Sequence, residues 1–239
     1  MKNLAISFLS LILILASCKK QENKDNKADG KEVKTEEKIE KSKITLSKFA
    51  DSPKFEDAKI SLNKPAVGKI NKETGKAEVK FDFNVEKFEL GAQTEDAGKN
   101  GLANSANGQH IHFILDNAPY SAHYEPSFSK EIEEGNHVLL AFLSRSYHES
   151  VKNAFLVQPI TVGKPKGKAL DLSKPHLFYS RPKGTYSGKD TEKLLLDFFL
   201  VNTKLSETGN KVKATINGEE FTITEWGTVC YRRFRQRRS

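Results

Sequence analysis

His110 and His112 lie two residues apart in the stretch Gly108-Gln-His-Ile-His-Phe-Ile-Leu-Asp-Asn-Ala-Pro-Tyr120. That spacing can put two imidazoles on one face of a β-strand, because alternate side chains of a pleated strand point the same way at about 7 Å. Two such rings can converge on one ion with metal–nitrogen bonds of ~2.0 to 2.1 Å. A third ligand is needed. Asp116 shares the face but lies roughly 13 Å further along, which leaves His148 or His123 to close the set. No Met or Cys is at hand, so the donors argue against a Cu(I) or blue-copper centre and suit Zn or Cu(II).

A second chemistry competes for the same end of the chain's architecture. Arg145, Tyr147, Lys152, Tyr179, Ser180, Arg181 and Lys183 supply guanidinium, ammonium and hydroxyl donors suited to carboxylate or phosphate. The plainer alternative for these residues is surface charge with aromatics packing between modules. His137 and His176, alone in apolar strands, suit packing or backbone hydrogen bonding. No nucleophile elbow, Gly-rich phosphate loop or His-Glu-x-x-His helix is written here. The expectation is a non-enzymatic binding module for an anionic or phosphorylated peptide, with Zn or Cu(II) capture as its alternative and otherwise no cofactor.

The elements that hold these residues read as strands. Period-2 alternation marks residues 59–62, 77–88, 109–116, 120–124, 136–144 and 154–162, separated by Gly, Pro, Asn and charged residues, with no convincing 3.6-residue apolar period. Ile111, Phe113 and Leu115 are the core side of the central segment. Its other side, with His110 and His112, is expected to be exposed and, because Ile114 belongs to it, partly covered. Six or seven short strands in roughly 120 residues fit an antiparallel sandwich of immunoglobulin-like type.

The chain also resembles itself. Phe81-Asp-Phe-Asn-Val85 matches Leu196-Asp-Phe-Phe-Leu200, and Gly108 to Asn117 matches Gly209 to Gly218 without a gap, placing Lys211 and Lys213 where His110 and His112 stand. The fold expected is therefore all-β, two tandem immunoglobulin-like β-sandwich modules over residues 45–164 and 170–239, the second incomplete. Copy one carries a fourteen-residue insertion within residues 91–107, the kind of long loop on which function is usually grafted. The sandwich places it at the same end as residues 145–152. After Trp226 the second copy departs from the first, and a tail with five arginines follows, read as truncated or frame-shifted with an unpaired edge strand left behind.

Residues 1–17 read as a signal peptide: a basic start, then an apolar run from Leu4 to Leu15 that is too short for the ~20 residues of a spanning helix. Leu15-Ala16-Ser17-Cys18 has the form of a bacterial lipobox, with acylation expected at Cys18. The run of Lys, Glu, Asp and Asn that follows, within residues 18–44, cannot bury enough surface to fold and reads as a tether. Cys230 is the only other cysteine, so no disulfide framework is expected. The formal charge of +8 falls to +2 without Lys2 and the tail arginines, so basicity gives no argument for nucleic acid. The expected partners are a lipid bilayer, through Cys18, and a protein or peptide ligand, on the periplasmic side or cell surface of a bacterial envelope.

The stretch Gly108 to Tyr124, with Leu143-Ser-Arg-Ser-Tyr-His-Glu-Ser150 and Leu177-Phe-Tyr-Ser-Arg-Pro-Lys-Gly184, resembles a group of bacterial lipoproteins often labelled phosphopeptide-binding. The resemblance runs from Thr45 to about Trp226. It implies anion recognition and a second module that continues past Trp226, and it assigns no binding residues.

Overall fold

The computed structural model describes residues 44–49, 52–167 and 170–233. The expected leader, Cys18 and nearly all of the charged tether lie outside the described residues, as does the tail from 234 onward. The described residues all belong to one compact unit. Its strands are β1 (Ile44–Lys48), β2 (Lys59–Leu62), β3 (Ala66–Val67), β4 (Lys76–Glu86), β5 (His110–Leu115), β6 (Ser121–His123), β7 (Ser127–Glu133), β8 (Gly135–Ser144), β9 (Ser150–Val162), β10 (His176–Arg181), β11 (Lys193–Val201), β12 (Val212–Ile216), β13 (Glu219–Ile223) and β14 (Val229–Arg233). The chain is all-β, as its alternation implies. β7 escapes the alternation because only Phe128 and Ile132 are apolar in it, with Lys130 between them.

The strands form four antiparallel sheets. β4 carries β2 and β3 on one edge and β7 on the other; the second sheet runs β6-β5-β8-β9, the third β1-β14-β11-β10, and β12-β13 is a lone hairpin. Val79, Phe81 and Phe83 of β4 pack on Ile111, Phe113, Leu139, Ala141 and Leu143 of the second sheet, with Phe81 edge-on to Phe113 at 4.8 Å. The opposite face of that sheet, Ile114, Val138, Leu140 and Phe142, packs on Phe178, Phe199 and Val201 of the third. Leu196, Phe198 and Leu200 then face Ile223 of the hairpin. Two-sided burial explains why Val138 to Leu143 and Leu194 to Val201 are nearly continuous apolar runs where a half-exposed strand would alternate.

The internal repeat corresponds to two hairpins. Asp116-Asn117 (φ 53° and 58°) and Asn217-Gly218 (φ 50° and 85°) both turn through left-handed backbone; the second closes a tight hairpin, Ile216 pairing with Glu219, while the first lies within a longer connection between Phe113 and Ser121. The module boundaries drawn from sequence are not those of the sheets. β1, at the start of the first expected module, lies in the third sheet, with β14 between it and β11: Ile44 pairs with Arg233, and Lys193 with Arg232. The tail segment Val229–Arg233 thus covers the β11 edge that the sequence reading leaves open. Its short apolar start, Val229-Cys-Tyr231, is obscured by the arginines that follow it.

Asp197 ties the third sheet to the second. It is fully buried, accepts Ser150 N–H at 3.1 Å and pairs with the Lys152 ammonium, which also donates to Phe198 O at 2.8 Å. Replacing Asp197 by Ala strands a cation beside a buried carbonyl. The expected loss of stability is about 3 kcal/mol, read as a lowered urea midpoint with an unchanged slope; a midpoint equal to the parent's would show that the pair contributes nothing.

Candidate metal centre

β5 pairs His110 with Ser144 and His112 with Phe142 of β8, and turns both imidazoles toward the third sheet. Both are 0 % exposed. The exposed strand face expected from the Lys211 and Lys213 correspondence is therefore corrected: β10 covers it, Ser180 Oγ lies 3.4 Å from His112 Nδ1, and the Tyr120 ring stacks on His112 with centroids 3.7 Å apart. Tyr124 lies against His110 at 5.0 Å and is tied to the inserted loop by Ser105 Oγ at 2.8 Å.

His148 arrives from the turn between β8 and β9. That turn is closed by Arg145 N–H to Glu149 O and His148 N–H to Arg145 O, both 2.8 Å. His148 has φ 69°, sparsely populated backbone for a residue with a Cβ and the kind of strain that persists where the surroundings fix it. The inserted loop docks on the same turn: Thr94 N–H donates to Ser146 Oγ at 3.2 Å, Ser146 N–H to Thr94 Oγ1 at 3.0 Å, and Ser105 N–H to Ser146 O at 2.9 Å. The insertion, His110 and His148 thus share one end of the sandwich. Gly108 makes the join, with φ 83° and a backbone so close that a Cβ would sit 2.2 Å from Gly91 O.

Three ring nitrogens converge. His110 Nε2 lies 2.9 Å from His112 Nε2 and 3.1 Å from His148 Nδ1, and the ligand atoms of all three residues lie within 4.8 Å of one another. Nitrogens around a tetrahedral ion with ~2.0 to 2.1 Å bonds are about 3.3 Å apart, so His112 and His148 would each open from His110 by a few tenths of an ångström and draw toward one another to seat one. Hydrogen bonding among the rings cannot satisfy the set. His110 Nδ1 lies 2.8 Å from Gly108 O, which can only accept, so the proton is on Nδ1 and Nε2 offers one lone pair. Two neighbouring nitrogens compete for it. A cation at the centre would use all three lone pairs, with Gly108 O and Ser180 Oγ as the outer acceptors that orient His110 and His112.

Burial, reinforced by Arg181, keeps these rings neutral. The His110 pKa falls to about 4 and that of His148 to about 2, and His112 sits well below the usual imidazole value, in each case first through desolvation. Neutral imidazole is the ligand form.

The remaining expected site residues divide. His123 is not in the cluster: it pairs with Ile111, so it points into the opposite core, where it stacks on Phe128 at 3.3 Å. Arg145 is not a free rim group. Its Nε and Nη2 donate to Pro53 O at 3.2 and 2.6 Å, its Nη1 to Ser150 O at 3.2 Å, and Glu149 pairs with it at 3.4 Å. Tyr147 is fully buried and donates to Asp96 Oδ2 at 3.2 Å. Asp116 is spent on Val138 N–H and His137, while His137 and His176 also meet backbone carbonyls, of Glu133 and Asp171. Of the expected anion ligands, Ser180, Arg181 and Lys183 stand beside the histidines, the last two held by Tyr120: Arg181 Nη1 donates to its hydroxyl at 2.8 Å and the Lys183 ammonium to its carbonyl. Gly108, Tyr120 and Tyr124 are the parts of the site that sequence reasoning misses; only the glycine left a signal, as the residue closing the inserted loop. A comparison with protein-family models, curated proteins and solved structures finds no match to this chain.

His123 gives a pH test of the fold. Burial, then Lys130 and His110, lower its pKa to about 4, so below the ordinary value of ~6.5 the unfolded chain binds a proton that the folded one refuses. Stability present above that value is lost as pH falls toward 4. Thermal melts of the metal-free protein should drop across this window, and less steeply for His123→Phe, which keeps the ring stack; identical slopes would remove His123 from the account.

Proposed function

We propose that this chain is a membrane-anchored envelope lipoprotein whose folded domain binds one divalent ion, Zn or Cu(II), through His110, His112 and His148. The observation that carries the reading is the convergence of three neutral ring nitrogens on His110 Nε2, with His110 Nδ1 already committed to Gly108 O. Two of the ligands sit on a strand buried between sheets, and the third on a turn pinned by the inserted loop. Such a set is held in place before any metal arrives. The all-nitrogen donor set favours Zn or Cu(II) over Ca or Mg, which take oxygen ligands. Serine nucleophile chemistry is not favoured here: Ser144 Oγ donates to Arg145 O, Ser146 Oγ is placed by Thr94 N–H, and Ser180 Oγ faces His112 Nδ1. Anchorage rests on the apolar leader and on Leu15-Ala16-Ser17-Cys18, with more than one acyl chain required for stable attachment.

Equilibrium dialysis against Zn and Cu(II) should find one ion per chain. His110→Ala and His112→Ala should abolish it, and His148→Asn, which tolerates the left-handed backbone, should weaken it by more than the ~10- to 100-fold that loss of an outer partner brings while leaving the melting temperature of the metal-free protein nearly unchanged. Failure of the parent to retain stoichiometric metal would end the proposal. For the anchor, Cys18→Ser should abolish incorporation of labelled palmitate and release the protein from membranes; labelling that persists would reject acylation at Cys18.

A further inference from the structure

Arg181 is 6 % exposed, and among the described residues no carboxylate pairs with it. Its Nη1 is fixed by the Tyr120 hydroxyl, but its Nε is buried with no hydrogen-bond partner. A guanidinium withdrawn from water normally meets an acid, as Arg145 meets Glu149 in this same protein. The contrast is instructive. Arg181 follows Ser180, whose hydroxyl approaches His112, and its anchor Tyr120 is the ring stacked on His112. Its positive charge bears on all three imidazoles, and that of Lys183 on His112 and His148. Lys183 is exposed while His148 and Tyr124 are only half-buried, so this side is where the cluster meets solvent.

A dication on three neutral rings beside an arginine and a lysine is a concentration of positive charge with no acid in the ligand set. Three histidines also leave a tetrahedral ion one open position. We propose that this position takes an oxyanion, a carboxylate or a phosphate group, bound to the metal through one oxygen and to Arg181 Nε–H through another, with Lys183 at the rim. The inference rests on the metal reading above and names the ligand class that the same site accepts. An oxyanion would at once fill the coordination sphere, pair the orphaned Nε–H and offset the local charge.

The test uses the chain loaded with Co(II), whose visible spectrum reports its ligands. Titration with inorganic phosphate or with acetate should shift the spectrum saturably in the parent protein. Arg181→Gln should weaken that response at least ten-fold, and Arg181→Lys, which keeps the charge but loses the fork and guards against a folding defect, should weaken it nearly as much, with one Co(II) per chain retained in both. Lys183→Gln should weaken it by a few-fold. A parent that binds Co(II) stoichiometrically but shows no response to either anion overturns this inference and leaves the metal reading standing; Arg181 variants that bind phosphate as tightly as the parent overturn the role of Arg181. A parent that retains no metal overturns both.

Discussion

Phe142 stacks on Phe199 at 4.3 Å, and around that contact Ile114, Leu140, Phe178 and Val201 seal the second sheet against the third. Burying each large apolar side chain is worth about 1.5–3 kcal/mol, and an aromatic pair adds ~0.5–1.5. Stranding one polar nitrogen costs about 1–3 kcal/mol. The apolar seal is therefore strong enough to carry two imidazoles into the interior with it. His110 and His112 lie on the same strand face as Ile114, and once that residue is covered they have no route back to water. The chemistry of the cluster follows from this packing: rings denied water stay neutral, and neutral rings keep their lone pairs.

The two buried arginines show how differently one residue type can be used. Arg145 spends its donors on Pro53 and Ser150 carbonyls and pairs with Glu149, whose own pKa is raised first by burial. It staples the segment before β2 to the turn that presents His148. Arg181, on the strand that roofs the histidines, is held by aromatic faces and a hydroxyl, with Tyr120 at 5.8 Å and Tyr186 at 5.7 Å from its guanidinium carbon. The first is architecture. The second keeps unused donor capacity beside the site.

Much of this was legible in the chain. The alternation of Lys76 to Glu86 reads directly as a strand with Ala77, Val79, Phe81 and Phe83 inward, and the Asp116-Asn117 and Asn217-Gly218 turns announce hairpins. The loop geometry put His148 at the same end as His110. What stayed hidden depends on distant partners. Val138 to Leu143 is apolar on both faces, which is the local trace of two-sided burial, yet which sheet supplies the second cover is decided by β10 and β11, far along the chain. Arg145 looks like a rim arginine until Pro53, 92 residues away, accepts its donors. β14 is unreadable because its short apolar start, Val229-Cys-Tyr231, runs straight into arginines, and its place is set by edge pairing with β1 and β11 more than by its own pattern.

The three nitrogens differ in how they are mounted. Two stand on a strand locked from both sides, and the third stands on the five-residue bend Arg145–Glu149 with backbone it does not prefer. An ion seated there would be gripped by parts of unequal stiffness, so the rate at which it escapes would follow the flexing of the bend, while the depth of its well would follow the strand. Residence time and affinity would then be separately adjustable in this protein, the former through substitutions near Ser146 and Thr94 that never touch the ion.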